Sequence, residues 1–158
     1  MSEEKTNVMR ILDKQKIPYR HCSYPAEEPF DGVTAARKLG VPEEQVFKTL
    51  VTEAKSGTHY VFVIPVAEEL DLKKAARSVH EKAVQMIPVK TLLGLTGYLR
   101  GGCSPIGMKK QFHTVLDETA ILFDTIHVSG GRRGVQIELN PDDLCALIGA
   151  EYAELTKD

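Results

Sequence analysis

Val46-Phe47-Lys48-Thr49-Leu50-Val51-Thr52, followed after Ser56-Gly57-Thr58 by His59-Tyr60-Val61-Phe62-Val63-Ile64-Pro65-Val66, is the stretch that decides the fold. Residues 46–52 are β-branched or apolar around a single lysine, and residues 59–66 carry the strongest strand pattern of the chain. The glycine turn between them is too short for a parallel crossover, so the pair reads as an antiparallel hairpin.

Working outward, helical and β-like segments are interspersed. Val8, Met9, Ile11 and Leu12 recur at helical spacing over 6–16, with Thr6 or Asn7 as cap and Pro18 forbidding continuation. A short strand over 19–24 leads into 25–32, PAEEPFDG, a loop by its prolines and glycine, and residues 34–39 read as a helix closed by Gly40. Asp71 can cap a helix through His80, with Leu72, Ala75, Ala76 and Val79 inward and Lys73, Lys74 and Arg77 outward. A brief strand over 84–86, a helix over 89–95 stopped by Gly94 and Gly97, and strands over 113–117, 126–129 and 135–139 follow. Asn140 caps a last helix, with Pro141 at its first position, Asp142 and Asp143 complementing the dipole, and Gly149 ending it. No repeat or linker interrupts this order. The expectation is one α+β domain over residues 1–158, with a mixed or largely antiparallel sheet.

Composition narrows the function. Twenty Lys and Arg stand against 22 Asp and Glu in 158 residues, a net charge of -2, which excludes a protein that coats nucleic acid by charge alone. A chain of this length buries about 70% of its unfolded surface and can build its own core. No apolar run reaches the roughly 20 residues of a membrane helix, and the opening MSEEKTNVMR has no leader pattern, so a cytoplasmic protein without a membrane partner is expected. Cys22, Cys103 and Cys145 are odd in number and far apart, which leaves reduced thiols.

The five histidines show no metal-ligand spacing, and Cys103, Ser104 and Ser129 lie beside glycines with no nucleophile elbow and no evident general base. Lys48 either faces solvent from a half-exposed strand or enters a cleft, where its ammonium would suit a phosphate or a developing oxyanion. Gly101-Gly102-Cys103-Ser104-Pro105 and Ser129-Gly130-Gly131-Arg132-Arg133-Gly134 could let backbone N–H groups approach a ligand, or could simply be turns. Basic residues flank both motifs, which favours an anionic ligand.

In order and spacing, Val46 to Leu50, Leu70-Asp71-Leu72-Lys73-Lys74, the segment from Thr96 to Gly107 and Val128 to Gly134 resemble the YbaK/EbsC family of aminoacyl-tRNA deacylases. That family is related to the editing domain inserted in bacterial prolyl-tRNA synthetases. The resemblance spans essentially the whole chain and is nearest to free-standing deacylases of Cys-tRNA(Pro). It implies a mixed, partly barrel-like sheet surrounded by helices, with no metal and no cofactor. The partner it implies is the tRNA acceptor end, with prolyl-tRNA synthetase as a second partner and no DNA.

Residue by residue, the resemblance places Lys48 at the terminal adenosine or aminoacyl end and the loop of Gly101 and Gly102 at the aminoacyl carbonyl. It places Tyr24, Cys103, Ser104, Pro105, Ser129, Gly130 and Arg132 in the substrate pocket, and Asp71 needs no role beyond its helix cap. Gln136 stands where the family carries an aspartate. For the cysteine-specific branch the implied chemistry needs no protein nucleophile, because the substrate thiol attacks its own ester. Two alternatives stand beside this: a deacylase of another aminoacyl-tRNA, such as Ala-tRNA(Pro), using activated water, or a non-catalytic module that binds tRNA or a synthetase.

Overall fold

The computed structural model describes residues 5–158. The reading of the opening segment rests partly on residues 1–4, which lie outside the described residues. The 46–66 region forms the expected hairpin: β2 (Phe47–Ala54) pairs antiparallel with β3 (His59–Pro65), from Phe47 opposite Pro65 to Glu53 opposite His59. Around it β4 (Val84–Met86), β5 (His113–Asp117) and β8 (Glu151–Ala153) complete a five-stranded sheet in the order β4-β2-β3-β5-β8. The pairs of β5 with β3 and with β8 are parallel, so this sheet is mixed. A second, antiparallel sheet has the order β1-β7-β6, from β1 (Tyr19–Ser23), β6 (Ile126–Ser129) and β7 (Val135–Leu139).

Val46, just before β2, makes a parallel bridge to His127 of β6 and so joins the sheets at one seam. The described strands do not close into a barrel, which corrects the barrel-like element of the expected α+β fold.

The apolar run of β3 is explained by cover on both faces. Tyr60, Phe62 and Ile64 pack with Ala75, Ala76 and Val79 of the α3 region (α3, Leu72–Ser78), while Val61 and Val63 point into a larger core. That core is shared with Val8 and Leu12 of α1 (Asn7–Lys14) and with Val128, Ile137 and Leu139 of the second sheet. α2 (Gly32–Leu39) covers the seam through Ala36, against Val46 and Val66.

The caps follow the sequence. Thr6 Oγ1 accepts from Met9 N–H at 3.3 Å, and Asp71 Oδ1 accepts from the N–H groups of Lys73 and Lys74. Asn140 Oδ1 accepts from Asp143 N–H at the start of α5 (Pro141–Ile148), which Gly149 ends in the left-handed region.

Several details differ from expectation. α2 begins at Gly32 because Asp31 Oδ1 accepts from Thr34 N–H at 2.7 Å. Gly94 lies inside α4 (Val89–Thr96), which only Gly97 stops. Leu72, expected inward, is exposed at the first turn of α3. Lys74 is drawn from the outward stripe to the chain's end, bonding Glu154, Asp158 and Thr156 O. β8 was not anticipated, since three residues carry too little pattern.

Asp117 ties the C-terminal segment down. Its buried carboxylate accepts from Leu155 N–H at 3.0 Å, and from the N–H and hydroxyl of Thr119 at 3.2 and 2.5 Å. Asp117→Ala strands these donors, so the unfolding free energy measured by urea denaturation should fall by about 2–4 kcal/mol.

Candidate active site

A cleft of about 940 Å³ opens where the seam between the sheets meets the 25–32 loop and the two glycine motifs. β2 contributes Lys48, Thr49 and Leu50, the sheet of β6 and β7 contributes Ser129 and Gln136, and the loops contribute Tyr24, Phe30, Arg100, Gly101, Cys103 and Arg133. Lys48 is half-buried and, among the described residues, makes no hydrogen bond or ion pair. Of the two placements open to Lys48 from the strand pattern, the structure selects the cleft.

Of the residues singled out in the sequence, Lys48, Gly101, Tyr24, Cys103 and Ser129 line this one cleft. Gly102, Ser104, Pro105, Gly130 and Arg132 do not, although the loops that carry them do. Ser104 is fully buried, and its Oγ accepts from Ile106 N–H at 3.2 Å, which makes it turn chemistry. Pro105 is buried beside it, and Arg132 is exposed outside the lining. Gly130 N–H donates to Val135 O at 2.8 Å within the turn joining β6 to β7.

The glycine-rich loop is held by protein contacts. Tyr98 donates its hydroxyl proton to Ile106 O at 2.5 Å, and Arg133 Nε–H donates to Arg100 O at 2.7 Å. The Arg133 guanidinium stacks 4.0 Å from the centre of the Phe30 ring. A Cβ on Gly101 would lie 2.6 Å from Phe30 Cβ and 2.8 Å from Phe30 O, and one on Gly102 would lie 3.0 Å from Arg133 N. These glycines therefore let three loops meet over the cleft, a packing demand that a reading of the motif as a ligand cradle does not contain. Phe30 was not singled out, since an aromatic in a proline-rich loop carries no periodicity that would place it, while Arg133 entered the sequence reading only as a cation of the 129–134 motif.

Electrostatics separate the cations from the nucleophile candidates. Burial lowers the pKa of Lys48 from its ordinary value, opposed by the charges of Glu69 and Glu68. Burial pushes the Cys103 thiol up to about 12, so it stays protonated and unreactive at neutral pH. Burial also raises the Tyr24 phenol pKa, against an opposing contact from the Gln136 side chain. Ser129 Oγ accepts from Gly131 N–H at 3.2 Å, and among the described residues no histidine or carboxylate bonds it as a general base. Thr49 and Gln136, which line the cleft, each carry a side-chain oxygen sealed from solvent, Thr49 Oγ1 and Gln136 Oε1, that has no hydrogen-bond partner among the described residues.

The sequence model of the aminoacyl-tRNA editing domain matches residues 28–147, which hold every residue lining the cleft except Tyr24. The chain belongs to the aminoacyl-tRNA editing domain family. This editing domain is 44% identical over 156 residues to a protein of Enterococcus faecalis named "Putative Cys-tRNA(Pro)/Cys-tRNA(Cys) deacylase EbsC", covering 98% of this chain and 95% of that one. A solved structure described as "a putative trans-editing enzyme for prolyl tRNA synthetase" superposes with a TM-score of 0.82 at 25% identity, over 98% of this chain and all of that one. Another, of a hypothetical protein, reaches a TM-score of 0.86 at 24% identity over 95% and 99% of the two chains, and shows the shared fold alone. Among the described residues no helix is long and apolar enough to cross a membrane.

The packing role of Gly101 is open to test. Gly57 and Gly101 have nearly the same left-handed φ, +91° and +87°, but an added Cβ at Gly57 meets nothing within 4 Å. Gly57→Ala should cost about 1–2 kcal/mol for the left-handed backbone. Gly101→Ala should cost at least about 1 kcal/mol more, because Phe30 must move, and urea midpoints of the two variants measure the difference.

Proposed function

We propose that this editing domain removes cysteine from Cys-tRNA(Pro), and from Cys-tRNA(Cys), by cleaving the aminoacyl ester in the cleft around Lys48. The observation that carries the reading is an unpaired, half-buried ammonium in a cleft of an editing domain. The name of the Enterococcus relative supports the substrate. Lys48 is the cleft's cation for the negative charge that develops on the carbonyl oxygen, and the Gly101 loop confines the aminoacyl end against it.

Cys103 is held protonated, and among the described residues no base bonds Ser129. In this reading the nucleophile is the substrate's own thiol, as the resemblance to the cysteine-specific deacylases implies. Its sulfur, having given up its proton, forms a bond to the ester carbonyl carbon; the resulting oxyanion collapses and the carbon–oxygen bond to the ribose breaks. The ribose oxygen takes the proton, leaving free tRNA and a cysteine thiolactone. The protein's share is to hold sulfur and carbonyl within reach and to stabilise the oxyanion. Specificity then lies in the substrate, since alanyl and seryl esters have no thiol.

Arg100 and Arg133 at the cleft, with exposed Arg132 outside it, supply the cations for acceptor-end phosphates. With a net charge of -2 the grip on tRNA is local, and prolyl-tRNA synthetase is the partner that delivers it.

Lys48→Ala should lower kcat/KM on Cys-tRNA(Pro) at least about 100-fold with the fold intact. Cys-tRNA(Cys) should be cleaved while Ala-tRNA(Pro) and Pro-tRNA(Pro) survive. Alanyl cleavage at the cysteinyl rate would select activated water instead, and tRNA binding without cleavage would select a binding module. The pH profile gives a second check. Because the Lys48 pKa is lowered, the alkaline limb of kcat/KM, corrected for spontaneous ester hydrolysis, should fall below the ordinary lysine value of 10.5. Lys48→Arg, which keeps its proton, should move that limb upward.

A further inference from the structure

Lys48 makes no ion pair although two carboxylates stand close to it. It lies opposite Ile64 on β3, and where β3 ends the chain turns back beside the start of β2: Val66 N–H donates to Val46 O at 2.9 Å, and Glu68 N–H to Pro65 O at 3.0 Å. That turn leads into Glu68 and Glu69, whose negative charges act on the Lys48 ammonium. The other charged groups lining the cleft are Glu28 and Asp31 from the 25–32 loop and Arg100 and Arg133 from the glycine motifs. Asp31 is engaged as the cap of α2.

Glu69 is held elsewhere. Lys157 Nζ donates to Glu69 Oε2 at 2.9 Å and Lys157 N–H donates to Glu69 O at 3.0 Å, so one residue grips both its side chain and its backbone. The segment around Lys157 is itself tied down: Thr156 bridges Leu70, Asp71 N–H donates to Leu155 O at 2.8 Å, and Leu155 N–H donates to Asp117. The Glu69 carboxyl is accordingly kept below its ordinary pKa, chiefly by the hydrogen bond from Lys157 and with a smaller pull from Lys48. Both side chains of the Lys157–Glu69 pair are mostly exposed, so the contact adds little to the stability of the fold. What it fixes is the direction in which the Glu69 carboxylate points.

We propose that Lys157 is a positioning residue: by holding Glu69 at the C-terminal segment it keeps that carboxylate off Lys48 and leaves the ammonium free for the oxyanion of the substrate. This rests on the ester-cleavage reading above and adds to it a residue outside the cleft lining that sets how much charge Lys48 can offer. Without Lys157, Glu69 is drawn to Lys48, and the ammonium enters the reaction as one half of an ion pair.

The test reads Lys48 directly. Its ε-amine is titrated in the free protein by NMR of 15N-lysine samples, with Lys48→Arg assigning the resonance. At low salt, Lys157→Met should raise the midpoint by about half a pH unit, because an unmasked carboxylate favours the charged amine. It should also lower kcat/KM on Cys-tRNA(Pro) about two- to fivefold, the range of an exposed charge pair. Lys157→Arg, which keeps the cation, should behave as the wild type. In a Glu69→Gln background, Lys157→Met should leave both readings nearly unchanged, and high salt should shrink both effects.

A Lys48 midpoint unmoved by Lys157→Met overturns the assignment, whatever happens to stability. So does a loss of kcat/KM that persists with Glu69→Gln, which places Lys157 on the tRNA itself. A wild type that leaves Cys-tRNA(Pro) intact while Lys157→Met still moves the midpoint overturns the ester-cleavage reading alone, and upholds the control of Lys48 by Lys157.

Discussion

The bridge between Val46 and His127 is the contact on which the rest of the arrangement depends. It ties the start of β2, a member of the mixed sheet, to β6 of the other sheet, so the strand carrying Lys48 lies at a seam with apolar cover close by. Val46, Phe47, Val51 and β3 from Tyr60 to Pro65 are buried, while Lys48, Thr49 and Leu50 are only partly so. A lysine on that stretch cannot reach bulk water fully, nor can it be neutralised by a close carboxylate, since Glu69 is engaged with Lys157 at 2.9 Å. The cleft thus holds a cation at the expense of its solvation, and an anion is what relieves that cost.

The second constraint is the meeting of three loops above the seam. Phe30, Arg133 and the Gly101 loop are packed closely enough that a single methyl group would force them apart. The cleft is therefore shaped by backbone proximity as much as by side-chain chemistry. Among the described residues the cleft shows no activated protein nucleophile, and its features are a cation and confinement. Such a site suits the substrate-thiol chemistry proposed for it.

Legibility differed sharply between fold and site. The β2–β3 hairpin, the Thr6, Asp71 and Asn140 caps and the Gly149 stop were readable because each rests on local rules of period, capping and turn chemistry. Three-residue β8 and the parallel pairing of β5 were not, since pairing partners distant in the chain leave no local mark. The family motifs pointed to Lys48 and to the Gly101 loop, while the strand pattern alone left Lys48 undecided between solvent and cleft. Phe30, and the stacking of Arg133 on it, lay outside that reading because the contact joins segments about 100 residues apart.

What the amino-acid order determined by itself is the list of elements, the single α+β domain and the presence of a lysine and two glycine motifs that had to serve something. Hydrophobic period, capping and glycine placement are properties of neighbours in the chain, so they survive without a third dimension. Tertiary structure alone decided which face of β2 became a cleft wall, that Gly101 and Gly102 serve loop packing, that Ser104 is structural, and that Gln136 Oε1 is left without a partner. Each of those depends on burial and on distance between remote segments, and these exist only once the two sheets have met at their seam.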